Sequence, residues 1–237
     1  MNEVKFFDDY YTKGYDAWDV LGNEIRKDKF MKRIEIIRGL LNKINCSDKK
    51  VLDVGGGNGF FAKNLKCKNI YCADISTNAL ISGKNNYSGG VTATAIKLPF
   101  KDETFDVVMC VETLYYNDHE KMMSEMARVT KKEGYLIICL GNKNCIKRKI
   151  YRLLGYNVDD GNIYSKNNLK WYEKRLSVKE LKNLITKYNY EIKMLRGVLF
   201  FIPLISKNTF LRQKILFPLG DILKNYANQN IYLAVKK

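Results

Sequence analysis

Lys50-Val51-Leu52-Asp53-Val54-Gly55-Gly56-Gly57-Asn58-Gly59 is the stretch whose reading decides the fold of this 237-residue chain. Val51, Leu52 and Val54 make a short β-branched and aliphatic run, the pattern of a buried strand, and the glycine cluster from 55 to 59 ends it. Phe60 to Lys66 resumes with a helical pattern, so the expected order is strand, glycine turn, then a helix near 58–66. At such a junction no Cβ blocks a ligand from the main chain, and amide N–H groups are left to donate to it. A nucleotide-like head is therefore expected here. The dinucleotide fingerprint Gly-x-Gly-x-x-Gly is excluded, because it needs glycine where this chain has Phe60.

Outward from that turn, strand and helix patterns alternate. Strands are expected near 50–54, 69–74, 91–95, 105–111 and 134–140, with further helices near 77–86 and 119–130. Alternation of this kind builds a parallel sheet with helices on both faces, and ligands bind beyond the carboxyl ends of its strands. Gly55, Asp74 and the residues after the third and fourth strands all arrive at that edge.

Four motifs fall in order over residues 50–140. They are Asp53-x-Gly55-x-Gly57-x-Gly59, Asp74 closing the strand that begins at Asn69, Leu98-Pro99-Phe100 followed by Phe105-Asp106-Val107-Val108, and Arg128 to Gly134. The ordered set resembles the class I S-adenosylmethionine (SAM) methyltransferases, in particular the ubiquinone/menaquinone-biosynthesis type (methyltransferase type 11). The resemblance implies an α/β, Rossmann-like seven-stranded sheet of order 3-2-1-4-5-7-6. Strand seven is antiparallel, helices cover both faces, and a C-terminal insertion caps the substrate. It also implies SAM as cofactor and S-adenosylhomocysteine as product. By position it assigns Tyr15, Asp53, Gly55, Gly57, Asp74, Ile75, Thr94, Ala95 and Val111 to cofactor binding, with Asp74 accepting from two ribose hydroxyls. Relatives commonly carry an adenine-binding Asp where this chain has Thr94, whose hydroxyl still accepts one hydrogen bond beside the Ala95 N–H. Lys132-Glu133-Gly134 replaces the usual Pro-Gly-Gly at a turn away from the cofactor.

A hydrophobic content of 46% with 16 Tyr and 11 Phe excludes a disordered chain, and the length suits one α/β domain without covalent staples. Six cysteines without a Cys-x-x-Cys pair, beside a single His, point away from a disulfide framework or zinc site and towards a reducing compartment. The first residues lack the basic start and apolar middle of a signal peptide, and no apolar run approaches the roughly 18 residues that span a bilayer. A cytoplasmic protein, peripheral at the membrane, is expected. Of the net charge of +16, +14 falls in residues 143–237, which hold 20 Lys/Arg against 6 Asp/Glu. Such asymmetry predicts attraction to phosphates, on an anionic membrane or on nucleic acid, or else a solvated lysine-rich surface.

The whole of 1–237 reads as a single methyltransferase domain: an N-terminal lid over 1–49, the SAM-binding core over 50–141, and substrate-capping insertions over 142–176 and 198–228. Apolar residues at helical spacing over Lys27–Ile44 predict a helix. Ahead of it, Tyr10, Tyr11, Tyr15 and Trp18 are lid candidates, since aromatic faces attract a sulfonium cation. Tyr15-Asp16 resembles the family's recurrent pair and singles out Tyr15. Ser177 and Glu180 form a capping-box pattern that opens a helix to about 189, and strands are expected over 190–196 and 230–235.

Methyl transfer from SAM is an in-line displacement at carbon, in which the protein aligns the reactants and excludes water. No metal is expected. A general base is needed only when the acceptor must lose a proton early, and His119 is the one candidate; Asp118-His119-Glu120 also reads as the polar first turn of a helix. Glu112, Tyr115 and Tyr116 are expected to line the pocket. The favoured acceptor is small and lipophilic, presented at an anionic membrane surface. The alternatives are an RNA acceptor, disfavoured by the absence of an Asn-Pro-Pro-Tyr tetrad, or a non-catalytic SAM-binding regulatory subunit.

Overall fold

The computed structural model describes residues 3–12, 24–65, 67–155, 174–199 and 207–237. Its seven strands are β1 (Lys50–Val54), β2 (Asn69–Asp74), β3 (Gly89–Thr92), β4 (Phe105–Val111), β5 (Thr130–Gly141), β6 (Tyr190–Val198) and β7 (Gln229–Lys236). They form one sheet of order β3-β2-β1-β4-β5-β7-β6, in which β7 runs antiparallel to both its neighbours. This is the expected topology.

Side chains alternate across a strand, so each strand feeds both faces of the sheet. Val51, Val107, Ile137 and Ile231 lie under α2 (Glu24–Lys43), which contributes Phe30, Ile34, Ile37 and Leu41. Leu52, Val108, Leu136 and Tyr232 face the other way, against Met122, Met123 and Met126 of α4 (His119–Val129) and Leu181 and Ile185 of α6 (Val178–Lys187). Both capping-box bonds of α6 form: Ser177 N–H donates to Glu180 Oε2 at 2.7 Å, and Glu180 N–H to Ser177 Oγ at 3.2 Å.

Two of the four motifs act as clamps. Arg128 donates to the Leu98 carbonyl (2.9 Å), the Phe100 carbonyl (2.7 Å), Asp102 (2.8 Å) and Glu125, which itself accepts from Leu98 N–H. The Leu98-Pro99-Phe100 turn is thereby fastened to the end of α4. Asp106 accepts from Lys50 N–H at 2.8 Å and Lys131 Nζ at 2.7 Å, joining the starts of β1, β4 and β5.

The helix expected over 58–66 is replaced by a short 3-10 turn, Ala62–Asn64. In an α-helix the Asn64 N–H would donate to the Phe60 carbonyl. Here it donates to Phe61, and the Asn64 side-chain amide takes the Phe60 carbonyl at 2.7 Å. A side chain competing for its own helix's acceptor diverts the turn. The helix expected over 77–86 likewise stops early: α3 spans Thr77–Ser82, followed by a 3-10 turn. The third strand lies slightly earlier than its pattern suggested.

The remaining helices of the described chain are α1 (Glu3–Thr12), α5 (Ile146–Leu153), and α7 (Thr209–Leu211), which passes through a π turn into α8 (Phe217–Ile222). Asp221 of α8 accepts both guanidinium arms of Arg196 (2.8 and 2.5 Å) and Gly197 N–H (3.0 Å), pinning the helix to β6. The two backbones meet through Gly197 and Gly220, where a Cβ on either would overlap the other's carbonyl. Gly197→Ala should therefore lower stability by about 1–3 kcal/mol. Gly39, in an exposed position of α2 with open space where a Cβ would go, should gain about 0.5–1 kcal/mol on replacement by Ala. Urea midpoints shifting in opposite directions are the check.

Candidate active site

Asp53 enters the carboxyl edge of the sheet from β1, fully enclosed between neighbouring strands. Its Oδ2 meets no hydrogen-bond partner among the described residues. Burial, and then the charge of Asp74, push its pKa up to about 7. Beyond it Gly55, Gly57 and Gly59 adopt φ of 71°, 58° and 74°, the left-handed region that a side chain resists. A Cβ at Gly55 would overlap Thr113, and one at Gly57 the Tyr11 hydroxyl.

Asp74 closes β2 and holds this loop in place. Its Oδ2 accepts from Gly57 N–H at 2.8 Å and its Oδ1 from Ser76 N–H at 2.9 Å. Burial raises its pKa against the pull of those two amides. Ile75 follows, half-buried. The Asp74 carbonyl accepts from Ala93 N–H at 2.8 Å, which brings Thr94 and Ala95 to the same edge. Thr94 Oγ1 accepts from Ile96 N–H at 3.5 Å. Val111, the last residue of β4, is buried there too. Asp53, Gly55, Gly57, Asp74, Ile75, Thr94, Ala95 and Val111 thus gather at one end of the sheet. Tyr15 and Trp18, and the side chain of Tyr10, lie outside the described residues.

Across this edge lies α1. Asp8 accepts from Ser76 Oγ at 2.6 Å and Asn78 N–H at 3.3 Å, and Thr12 from the Asn78 amide at 2.9 Å. Phe7 meets Tyr116 edge-to-face at 5.4 Å.

His119 is the first residue of α4 after its cap Asp118, as its setting in the sequence suggested, but it is buried. Its Nε2 lies 3.0 Å from the Lys174 carbonyl, so that nitrogen carries the proton and Nδ1 is the acceptor. Burial lowers its pKa.

Sequence reasoning missed a cationic group at the end of β4. Arg33 of α2 is 1% exposed, 5.5 Å from the Phe30 ring and 5.4 Å from the Phe61 ring, with Glu112 at 3.8 Å. Glu112 stands at φ 60° and accepts from the Tyr115 hydroxyl at 3.0 Å. Lys29, one turn before Arg33, keeps part of its surface exposed while its ammonium is enclosed. Burial, then Arg33, brings its pKa down to about 8, although Glu112 pulls it up. Arg175 lies over the Tyr115 ring at 5.6 Å. The available signal was the i, i+4 pair Lys29 and Arg33 on the same helix face as Phe30, Ile34 and Ile37.

A family profile described as "Methyltransferase domain" matches residues 52–138, from β1 through β5. An uncharacterized protein of Methanocaldococcus jannaschii is 30% identical over 210 residues, covering 87% of this chain and 83% of that one. A demethylmenaquinone methyltransferase of a Mycobacterium species is 35% identical over 145 residues, covering 58% of this chain and 59% of its own length. The chain belongs to the SAM-dependent methyltransferase family. A SAM-dependent methyltransferase structure from Thermotoga maritima shares the fold, with a TM-score of 0.71 at 22% identity over 98% of this chain and 99% of that one.

The edge of this methyltransferase fits its cofactor. Asp53 Oδ2, buried beside the glycine loop without a described partner, is suited to an ammonium such as that of the methionyl end of SAM. An ionised carboxylate offers about four lone-pair sites, and Gly57 and Ser76 occupy two at Asp74, leaving acceptors for two hydroxyls.

Without cofactor, the raised pKa of Asp53 sets a pH dependence. Between its ordinary value of 3.8 and about 7 the folded chain holds a proton that the unfolded chain has released. Stability should therefore fall as pH rises from about 4 to about 7. Asp53→Asn should flatten that slope in denaturation series, relative to wild type.

Proposed function

We propose that this methyltransferase transfers the methyl group of SAM to a small lipophilic acceptor presented at an anionic membrane surface. The observation that carries the reading is an apolar and basic surface in the C-terminal half. Leu153 (86% exposed) and Leu154 end α5, Phe210 (67%) projects from α7, and Ile222 (74%) and Leu223 end α8. Lys149 sits 4.2 Å from the Tyr226 ring, which brings α5 against the segment after α8. Arg152, Lys214 and Lys224 are exposed among these apolar side chains. At an interface the apolar groups leave water, and each basic residue near an anionic surface contributes on the order of 1 kcal/mol. Among the described residues no helix is long and apolar enough to cross a membrane. The relative named for demethylmenaquinone supports an acceptor of quinone-like character.

In this reading Asp53 receives the methionyl ammonium, Asp74 the ribose hydroxyls, and Gly55 and Gly57 admit the ligand to the main chain. Thr94 and Ala95 meet the adenine edge between Ile75 and Val111. Bound SAM supplies an electrophilic methyl group on a cationic leaving group. The chain's own contribution is alignment and exclusion of water. Lys29 and Arg33 create a positive field at the end of β4 that favours the ionised form of an acceptor hydroxyl. His119, neutral near pH 7 because burial lowers its pKa, offers Nδ1 as a general base.

Calorimetry should show SAM affinity rising from about pH 6 to about pH 7, as Asp53 loses the proton that competes with the ammonium. Asp53→Asn should abolish the rise, and Asp74→Asn should weaken binding roughly tenfold at every pH. The acceptor reading is tested by flotation with anionic liposomes and by release of S-adenosylhomocysteine on adding a cell lipid extract. Binding that weakens with salt, and turnover with the lipid fraction, are expected. Turnover with transfer RNA and none with lipid would reverse the assignment of acceptor.

A further inference from the structure

Cys46 and Cys67 lie at the amino ends of β1 and β2, the opposite edge of the sheet from the glycine loop. Although 21 positions apart in the chain, their sulfurs are 2.7 Å apart. Cys46 is buried and Cys67 half-exposed. Both line an open cavity of about 270 Å³ with Leu41, Asn42, Asn45 and Ser47. The proximity does not depend on the sulfurs alone. Lys68 N–H donates to the Ser47 carbonyl at 3.4 Å, Lys68 Nζ reaches Asp48 at 3.3 Å, and Ser88 Oγ donates to the Lys68 carbonyl at 2.9 Å. Cys46 itself opens the 3-10 turn Cys46–Asp48, after Asn45 in the left-handed region.

We propose that Cys46 and Cys67 form a reversible dithiol–disulfide site that reacts with low-molecular-weight disulfides entering this cavity. The reaction has two exchange steps. In the first, the Cys67 thiolate attacks one sulfur of the small disulfide. That S–S bond breaks, and the departing thiolate takes up a proton as free thiol. In the second, Cys46 gives up its proton and attacks the Cys67 sulfur, forming the Cys46–Cys67 bond and expelling the second small thiol. Two electrons pass from the cysteine pair to the small disulfide, which leaves as two thiols.

The order of attack follows from access and from charge. Cys67 is the sulfur an entering molecule can reach. Its hydrogen bond with Cys46 also lowers its pKa, against the effect of burial, which favours the thiolate there. The same bond, and then burial, raise the pKa of Cys46, which keeps its proton until the mixed disulfide has formed. The other four thiols are poor competitors. Cys72, Cys110, Cys139 and Cys145 are all buried, and burial pushes the pKa of Cys139 up to about 12.

The full chain, kept native, is incubated with glutathione disulfide, alkylated, and mapped by peptide mass spectrometry. Two of the six thiols should disappear, joined as a cross-linked pair of peptides carrying residues 46 and 67, and return on adding dithiothreitol. Cys46→Ser should arrest the reaction as a glutathione adduct on Cys67, and Cys67→Ser should leave Cys46 unmodified. SAM binding at the opposite edge reports that each variant is folded. The proposal is overturned if Cys67 stays fully alkylatable under conditions that oxidise an unstructured dithiol peptide. It is equally overturned if wild-type protein accumulates the adduct without closing onto Cys46. Should Cys46→Ser fail to fold, the wild-type mapping alone decides.

Discussion

The carboxylate of Asp74 receives one amide from the glycine loop and one from the start of α3, and the working edge of the molecule is assembled on those two bonds. Gly57 can turn left-handed towards it because no Cβ stands in the way. Ser76, held by the other oxygen, then caps α3 and presents the hydroxyl on which Asp8 of α1 docks. The arrangement places two carboxylates, Asp53 and Asp74, in a region from which water is largely excluded. Their raised pKa values record the cost of that burial. A cationic, hydroxyl-bearing ligand offsets it, and the cofactor of the family is one.

The two edges of the sheet carry different work. At the amino edge Asp106 binds Lys50 and Lys131, fixing how β1, β4 and β5 start. At the carboxyl edge β1 carries Asp53 one residue before its end, Glu112 follows β4, and β2 ends in Asp74. Because a parallel sheet delivers every strand's end to one side, small local motifs far apart in the chain converge there without further design. Arg128 is the instructive member of the motif set. Its guanidinium touches two carbonyls, Asp102 and Glu125, so this part of the family pattern maintains a turn.

The cations of α2 change the charge at the end of β4. A sheet edge bearing only Asp53, Asp74 and Glu112 would repel an anion. Arg33 beside Glu112, with Lys29 one turn away and Arg175 over Tyr115, reverses the local sign. The edge is thereby divided into an acidic half under the glycine loop and a basic half at the end of β4.

Much of this was legible in the residues alone, where the rule that governs them acts over a few positions. The short apolar run at Val51, Leu52 and Val54, the glycine spacing, the Ser177–Glu180 cap and the order of motifs specified the strands, their family topology and the cofactor. Local rules failed where a local competitor was overlooked, as when the Asn64 amide took the Phe60 carbonyl and left a 3-10 turn in place of a helix. They were silent where the chain returns on itself. Nothing near Arg33 in the sequence announces Glu112, and nothing near Cys46 announces Cys67. Those contacts exist because α2 packs on one face of the sheet and because β1 and β2 start side by side, decisions made by burial of the whole core.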